Sequence, residues 1–389
     1  TILIAPNLND LHPLVAMNPR AARIKLPLPD ANGMAAALTL LATKQTQAFG
    51  TGAVTPTQAA PVLAGASLSA VEALVKVRHH EKKPLADNDL AALKKQLVEQ
   101  DTGGLIDFIQ PTRTLDDLHG QTALKAWLRQ DLALWRQGES QAMPMGYLMC
   151  GPVGTGKTYM VECLAGQAGV PVVKLKNFRD KWVGSSEGNL EKIFRLIRAL
   201  GRCMVFIDEA DQALGRRDAG GNDGGLSGRL YSMMAQEMSD TRNRGKVLWI
   251  LASSRPDLIE VDLKRPGRID VKIPLLPTTT PDESLGLVGA LLQRRGLVLD
   301  EAEKASVLPN LPLRLTPGAA EALAVRAYRL HKAEGRTPGA ALAACLQNYQ
   351  PPVAPAVMEA QMRLAIREAS DLAFVPESLR HLAAAEDPA

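Results

Sequence analysis

Residues 151–158 read Gly-Pro-Val-Gly-Thr-Gly-Lys-Thr, directly after the apolar run Tyr147-Leu148-Met149-Cys150 and directly before the helically periodic segment 159–168. Strand, glycine-rich loop and helix in that order form the setting of a phosphate-binding loop, which belongs to open α/β sheets. Gly151, Gly154 and Gly156 let the backbone turn so that successive N–H groups face an anion, and the helix that follows adds the positive end of its dipole. Pro152, Val153 and Thr155 fill the remaining positions of the loop. Lys157 is placed to reach the β- and γ-phosphates of a nucleotide, and the Thr158 hydroxyl to ligate Mg²⁺.

Met204-Val205-Phe206-Ile207-Asp208-Glu209 is an apolar run ending in carboxylates. A strand buried on both faces presents its end at the carboxyl edge of a parallel sheet, where the loop also lies. Asp208 then holds the Mg²⁺ shell, and Glu209 orients and polarises an attacking water as general base. Alone, such a pair could be a solvated helix cap. Beside Lys157 it reads as the hydrolytic half of a nucleotide site.

Composition narrows the rest. A chain of 389 residues, 46% of them hydrophobic, holds two or three domains with buried cores. Lys+Arg at 45 against Asp+Glu at 41 leaves +4, with no block of like charge, so no nucleic-acid footprint is advertised. Cys150, Cys163, Cys203 and Cys345 lack CxxC spacing and read as reduced core residues of a cytoplasmic protein, without a zinc site. No run approaches the roughly 18 apolar residues of a membrane span, and there is no HExxH protease motif. The first residue is Thr and residues 1–5 already look like a strand, so the chain is expected to begin inside a larger protein.

Ahead of the loop, a second strand is expected in Arg23-Ile24-Lys25-Leu26-Pro27-Leu28-Pro29 and a helix from near Asn32. Another helix starts at Ser69, where Ser69-Ala70-Val71-Glu72 has capping-box spacing, and a further one covers 90–100. Residues 101–113, with Gly103, Gly104 and Pro111, read as a linker. An amphipathic helix then runs through Trp127 and Leu132. Behind the loop come a strand at 172–175 and a helix from Ser186 with Leu190, Ile193, Phe194 and Ile197 on one face. Prolines mark the starts of helices over 281–295, 317–334, 338–348 and 355–372.

With Val247-Leu248-Trp249-Ile250-Leu251-Ala252-Ser253-Ser254-Arg255-Pro256-Asp257 and Asp262-Leu263-Lys264-Arg265-Pro266-Gly267-Arg268-Ile269-Asp270 added, the chain from Thr114 onward resembles an AAA+ ATPase of the AAA clade. The resemblance implies a large domain over 114–278, with a parallel five-stranded sheet flanked by helices, and a helical lid over 279–389. It implies ATP and Mg²⁺ as cofactors, and hydrolysis to ADP and phosphate. Ser254 takes the place of the γ-phosphate-sensing residue, usually Asn, with a shorter reach. Arg265 and Arg268 are implied to reach into a neighbouring subunit's site, a contribution of order 10³ or more in rate. A ring follows from that, with six subunits the expected number. Asp117 and Gly120, in Thr114-Leu115-Asp116-Asp117-Leu118-His119-Gly120, would lie along the adenine, and Gly318 and Ala319 near the base. Lys181-Trp182-Val183-Gly184 is similar to a pore loop that grips an extended polypeptide, the aromatic giving sequence-tolerant contact. The glycine run from Ala219 to Gly225 would be a second such loop, and Arg229 a contact between subunits.

Residues 1–100 resemble the degenerate first module, with its lid-like region, of two-module AAA proteins from chloroplasts and cyanobacteria. The similarity lies in Leu63-Ala64-Gly65-Ala66-Ser67-Leu68-Ser69-Ala70-Val71-Glu72, Lys94-Lys95-Gln96-Leu97 and Gly104-Leu105-Ile106-Asp107-Phe108-Ile109. The sequence thus leads to an ATP-driven ring that remodels, unfolds or translocates protein, its client chosen directly or by an adaptor. Two alternatives stay open: a nucleic-acid motor or loader, which needs basic residues along a channel, and a nucleotide-gated scaffold with little turnover, which Ser254 keeps in play.

Overall fold

The computed structural model describes residues 3, 11–16, 18, 20–22, 24, 26–86, 89, 90, 92, 93, 95, 96, 104–176, 186–214 and 224–383. Its strands are β1 (Ile106–Ile109), β2 (Gly146–Cys150), β3 (Val172–Leu175), β4 (Cys203–Ile207), β5 (Val247–Ser253) and β6 (Val271–Pro274), in the sheet order β1-β3-β4-β5-β2-β6. That is one strand more than the expected five. β1 falls inside the expected linker: Ile106 and Phe108 are buried on alternate positions, so a strand period overrides the glycines before it. β2, β4 and β5 are buried at every position, as continuous apolar runs covered on both faces must be. β2 runs parallel to β5, with Gly146 opposite Trp249 and Cys150 opposite Ser253, and parallel to β6, with Cys150 opposite Pro274. The strand that feeds the loop therefore lies between two parallel neighbours, and their ends converge at its carboxyl edge.

The chain groups into two compact units. The first comprises Thr1–Gln110, Val173–Val205 and Ala219–Glu237. Its helices Ala31–Lys44, Pro56–Leu63 and Leu68–His80 bury Met34, Leu38, Leu63, Val71 and Val75 in one core with Leu85 and Leu90. Asp30 caps the first helix by accepting the Gly33 N–H, and Thr55 with Gln58 forms a capping box on the second. The box expected at Ser69 does not form. The third helix starts earlier, with Ser67 as N-cap, and Glu72 pairs with Lys76 instead. The strand expected over 23–29 is absent among its described residues: Ile24 and Leu26 are 86% and 85% exposed, and Pro27 and Pro29 have no N–H to give a ladder. Nearly all of the strand expected at 1–5 lies outside the described residues, as does much of the helix at 90–100. The helix Ser186–Leu200 buries Leu190, Ile193, Phe194 and Ile197, as its periodicity requires.

The second unit comprises Pro111–Val172, Phe206–Asp218 and Met238–Ala389. Here the helix Thr122–Gln137 buries Leu124, Leu128, Leu132 and Trp135. Pro281–Gln293, Glu301–Val307, Pro317–Glu334 and Pro338–Gln347 share a core around Val288, Leu292, Leu323 and Leu342. Thr280, Thr316 and Thr337 cap three of these helices ahead of an N1 proline, and Asp300 with Glu303 caps the fourth. The last helix, Pro355–Glu368, ends before the expected 372 and does not join that core. Met358, Met362 and Ile366 pack instead against Leu379 and Leu382, and the helix contacts β6 and the turn Pro256–Leu258. No helix among the described residues is long and apolar enough to cross a membrane.

Candidate functional site

The loop leaves β2 at Gly151, where a Cβ would lie 2.1 Å from the Leu275 carbonyl oxygen, so this close passage requires glycine. The Pro152 carbonyl accepts the Thr155 N–H at 3.3 Å and its hydroxyl at 2.9 Å, and Gly154 stands at φ +84° in the third position of that turn. A left-handed glycine at the third position, after Val153 without a positive φ, is the mark of a type II turn centred on Val153 and Gly154. Gly156, at φ +81°, then opens the helix Lys157–Ala168 with no side-chain cap, so its first N–H groups are left for an anion. Lys157 Nζ donates to the carbonyls of Gly151 at 2.8 Å and Pro152 at 3.0 Å. Burial pulls the Lys157 pKa below the ordinary lysine value, while Asp208, Asp211 and Glu209 push it back up. A phosphate is a stronger partner for this ammonium than two neutral carbonyls.

Thr158 Oγ1 donates to Asp208 Oδ2 at 3.0 Å. Adjacent oxygens on an octahedral Mg²⁺ shell of about 2.1 Å radius stand roughly 3 Å apart, so this pair fits one edge of such a shell. Among the described residues no group of three His, Cys, Asp or Glu could hold a metal by itself. Waters and phosphate oxygens would have to complete the coordination. Glu209, next along, is exposed and left-handed at φ 48° and ψ 47°. That conformation costs a non-glycine residue about 1–2 kcal/mol, and strain of this kind gathers at functional sites. It is held by hydrogen bonds from the Gln212 and Ala213 N–H groups to the Glu209 carbonyl, at 2.8 and 3.1 Å.

At the end of β5 the hydroxyl in use is that of Ser253. It donates to Asp211 and accepts the Arg255 N–H at 2.9 Å, tying the short helix Ala210–Ala213, which follows β4, to the end of β5. Ser254, the expected sensor, follows directly and is half-buried. The two expected arginine fingers differ. Arg265 is 60% exposed with a single ion pair to Asp262 at 2.9 Å, whereas Arg268 is 15% exposed and grips both the carbonyl and the carboxylate of Asp262.

Of the residues expected at the base, Gly120 lines a cavity of about 400 Å³ with Leu276, Leu287, Leu315, Pro317 and Phe374. His119 stands in the same wall, its pKa lowered by burial and then by Lys125 and Arg294. Gly318 touches the loop itself, its N–H donating to the Gly154 carbonyl at 2.9 Å. Asp117 and Ala319 are committed elsewhere: the Asp117 carboxylate accepts the Thr114 N–H at 2.8 Å, and Ala319 is buried in the helical core. Sequence reasoning missed Arg294, whose guanidinium binds the Tyr159 hydroxyl at 3.2 Å and the Asp117 carbonyl, and nothing in an arginine pair at a helix end announces that contact. Lys181, Trp182 and Val183 lie outside the described residues, as do residues 219–223 of the glycine run; Gly224 and Gly225 begin a helix. Arg229 is exposed and pairs with Glu187 at 3.3 Å.

Residues 147–276 match the family model described as "ATPase family associated with various cellular activities (AAA)". Among curated proteins, the chain is 31% identical over 173 residues to the "Peroxisomal ATPase PEX6" of Dictyostelium discoideum, an alignment covering 44% of this chain and 14% of that protein. It is 32% identical over 234 residues to the "ATP-dependent zinc metalloprotease FtsH 1" of Symbiobacterium thermophilum, covering 57% of this chain and 37% of that one. It is 35% identical over 155 residues to the "Putative ribosome biogenesis ATPase nvl" of Dictyostelium discoideum, covering 39% of this chain and 18% of the relative. The chain thus spans between 14% and 37% of the length of these relatives. The match runs from β2 through the loop and the acidic strand end to the residues that follow β6, and on that segment the chain belongs to the AAA family of ATPases.

Proposed function

We propose that this chain is the ATP-hydrolysing subunit of a ring, expected to be a hexamer, that remodels, unfolds or translocates protein. The Thr158–Asp208 pair at 3.0 Å beside the strained Glu209 carries the proposal. When ATP enters, Lys157 exchanges the Gly151 and Pro152 carbonyls for phosphate oxygens, and the uncapped helix start offers its N–H groups to the same charge. Mg²⁺, when bound, draws charge off the β- and γ-phosphate oxygens; Thr158 and Asp208 are the residues that would hold it. Glu209 takes the proton of the attacking water. Ser254 is close enough in sequence to the end of β5 to orient that water, with the hydroxyl of Ser253 fixing the strand end. The cavity beside Gly120 and Pro317 is the seat for the base.

Exposed Arg265 supports delivery of a guanidinium to a neighbouring subunit, and with it the ring. Protein as the substrate is supported by relatives named as ATP-dependent proteases and by Lys181-Trp182-Val183. Four buried cysteines support a cytoplasmic setting. Residues 1–100 are read as the helical remnant of a degenerate module, supported by the core around Met34 and Leu38. Trp182→Ala should abolish ATP-dependent unfolding of a fluorescent reporter protein carrying an unstructured tail, with ATP turnover retained. Undiminished unfolding by that variant would overturn the pore.

A further inference from the structure

The helix Pro355–Glu368 is tied to the sheet at its C-terminal end. Glu368 pairs with Lys264 and, at 2.9 Å, with Lys272 of β6. Just beyond it, the Ser370 N–H donates to the Lys272 carbonyl at 3.0 Å, and the Ser370 hydroxyl accepts the Lys272 N–H at 2.8 Å. Earlier in the helix, Glu359 holds Arg314 at 3.1 Å, a left-handed residue shortly before the cap Thr316. Between these anchors sits Gln361, a buried amide, and its Oε1 accepts the backbone N–H of Val153 at 3.2 Å.

Val153 is the second residue of the 152–155 turn. The turn's own bond runs from the Thr155 N–H to the Pro152 carbonyl, so it leaves the Val153 N–H unused. Gln361 supplies the missing acceptor from 208 residues away in the chain. We propose that Gln361 is a positioning residue for the phosphate-binding loop: by holding the Val153 N–H it fixes the turn that presents Gly154 to Thr158. The same helix, through Glu368, holds Lys264 beside Arg265, so the loop and the exposed arginine share one support. The proposal rests on the reading of this loop as a nucleotide site.

A double-mutant cycle tests it. Gln361→Leu removes the acceptor at similar size, and ADP affinity measured by titration calorimetry should fall about three- to tenfold. Val153→Pro removes the donor at a turn position where proline is favoured. In that background Gln361→Leu should change ADP affinity by less than about twofold. A loss of equal size in both backgrounds would mean that Gln361 acts by packing, and no loss in either would mean that it does not act; both overturn the proposal. Gln361→Met repeats the cycle should the leucine variant not fold. Failure of the wild-type chain to bind ADP at all would instead overturn the nucleotide site itself.

Discussion

Glu209→Gln should lower ATP turnover by about 10²–10⁴-fold while ATP still binds. Glutamine keeps the size and one carbonyl oxygen of the side chain but cannot take a proton. Nothing on the anion-binding side changes: Lys157, the turn at Gly154 and the Thr158–Asp208 pair do not use the Glu209 side chain for support. The backbone at 209 is held by bonds to its carbonyl, which the substitution leaves alone. Phosphate release at saturating ATP, set beside equilibrium binding of ATP, checks both halves. Undiminished turnover would remove Glu209 from its assigned role, and lost binding would mean that it shapes the loop rather than the chemistry.

Arg265→Ala should lower turnover by about 10³-fold with little effect on folding, because the side chain is exposed and its one ion pair is a surface pair. Arg268→Ala should instead weaken the fold: that guanidinium is largely covered and satisfies the Asp262 carbonyl and carboxylate together. If the arginine acts across a subunit boundary, mixing Arg265→Ala with Glu209→Gln should restore part of the turnover that each lacks. A ring containing both places an intact arginine beside an intact general base at some boundaries. No recovery on mixing would place the arginine's action within one chain or remove it from the site.

The loop, the acidic strand end and β5 were legible because each is a local signal. An apolar run that fills every position of a strand, then glycines or carboxylates, needs no knowledge of what lies next to it. Three of the four proline-marked helices were legible almost to the residue for the same reason. What escaped depends on tertiary contacts. β1 looks like a linker until Ile106 and Phe108 have something to pack on, and the prolines in 23–29 defeat a strand whose residue types favour one. Ser253 and Ser254 are adjacent and chemically alike, and only the placement of Asp211 decides which hydroxyl ties the end of β5 to the helix after β4. Arg265 and Arg268 separate in the same way, through Asp262. The Gln361–Val153 bond joins positions 208 residues apart, and a glutamine inside an amphipathic helix carries no local mark of it.

Magnesium-dependent release of phosphate from ATP, measured side by side for the wild-type chain and Lys157→Ala, tests the hydrolytic assignment most directly. Multiple turnovers by the wild type, lost on removing Mg²⁺ and lost in Lys157→Ala, are the expected result. Equal release by both proteins, or none above background from a wild type that binds ATP, would contradict it.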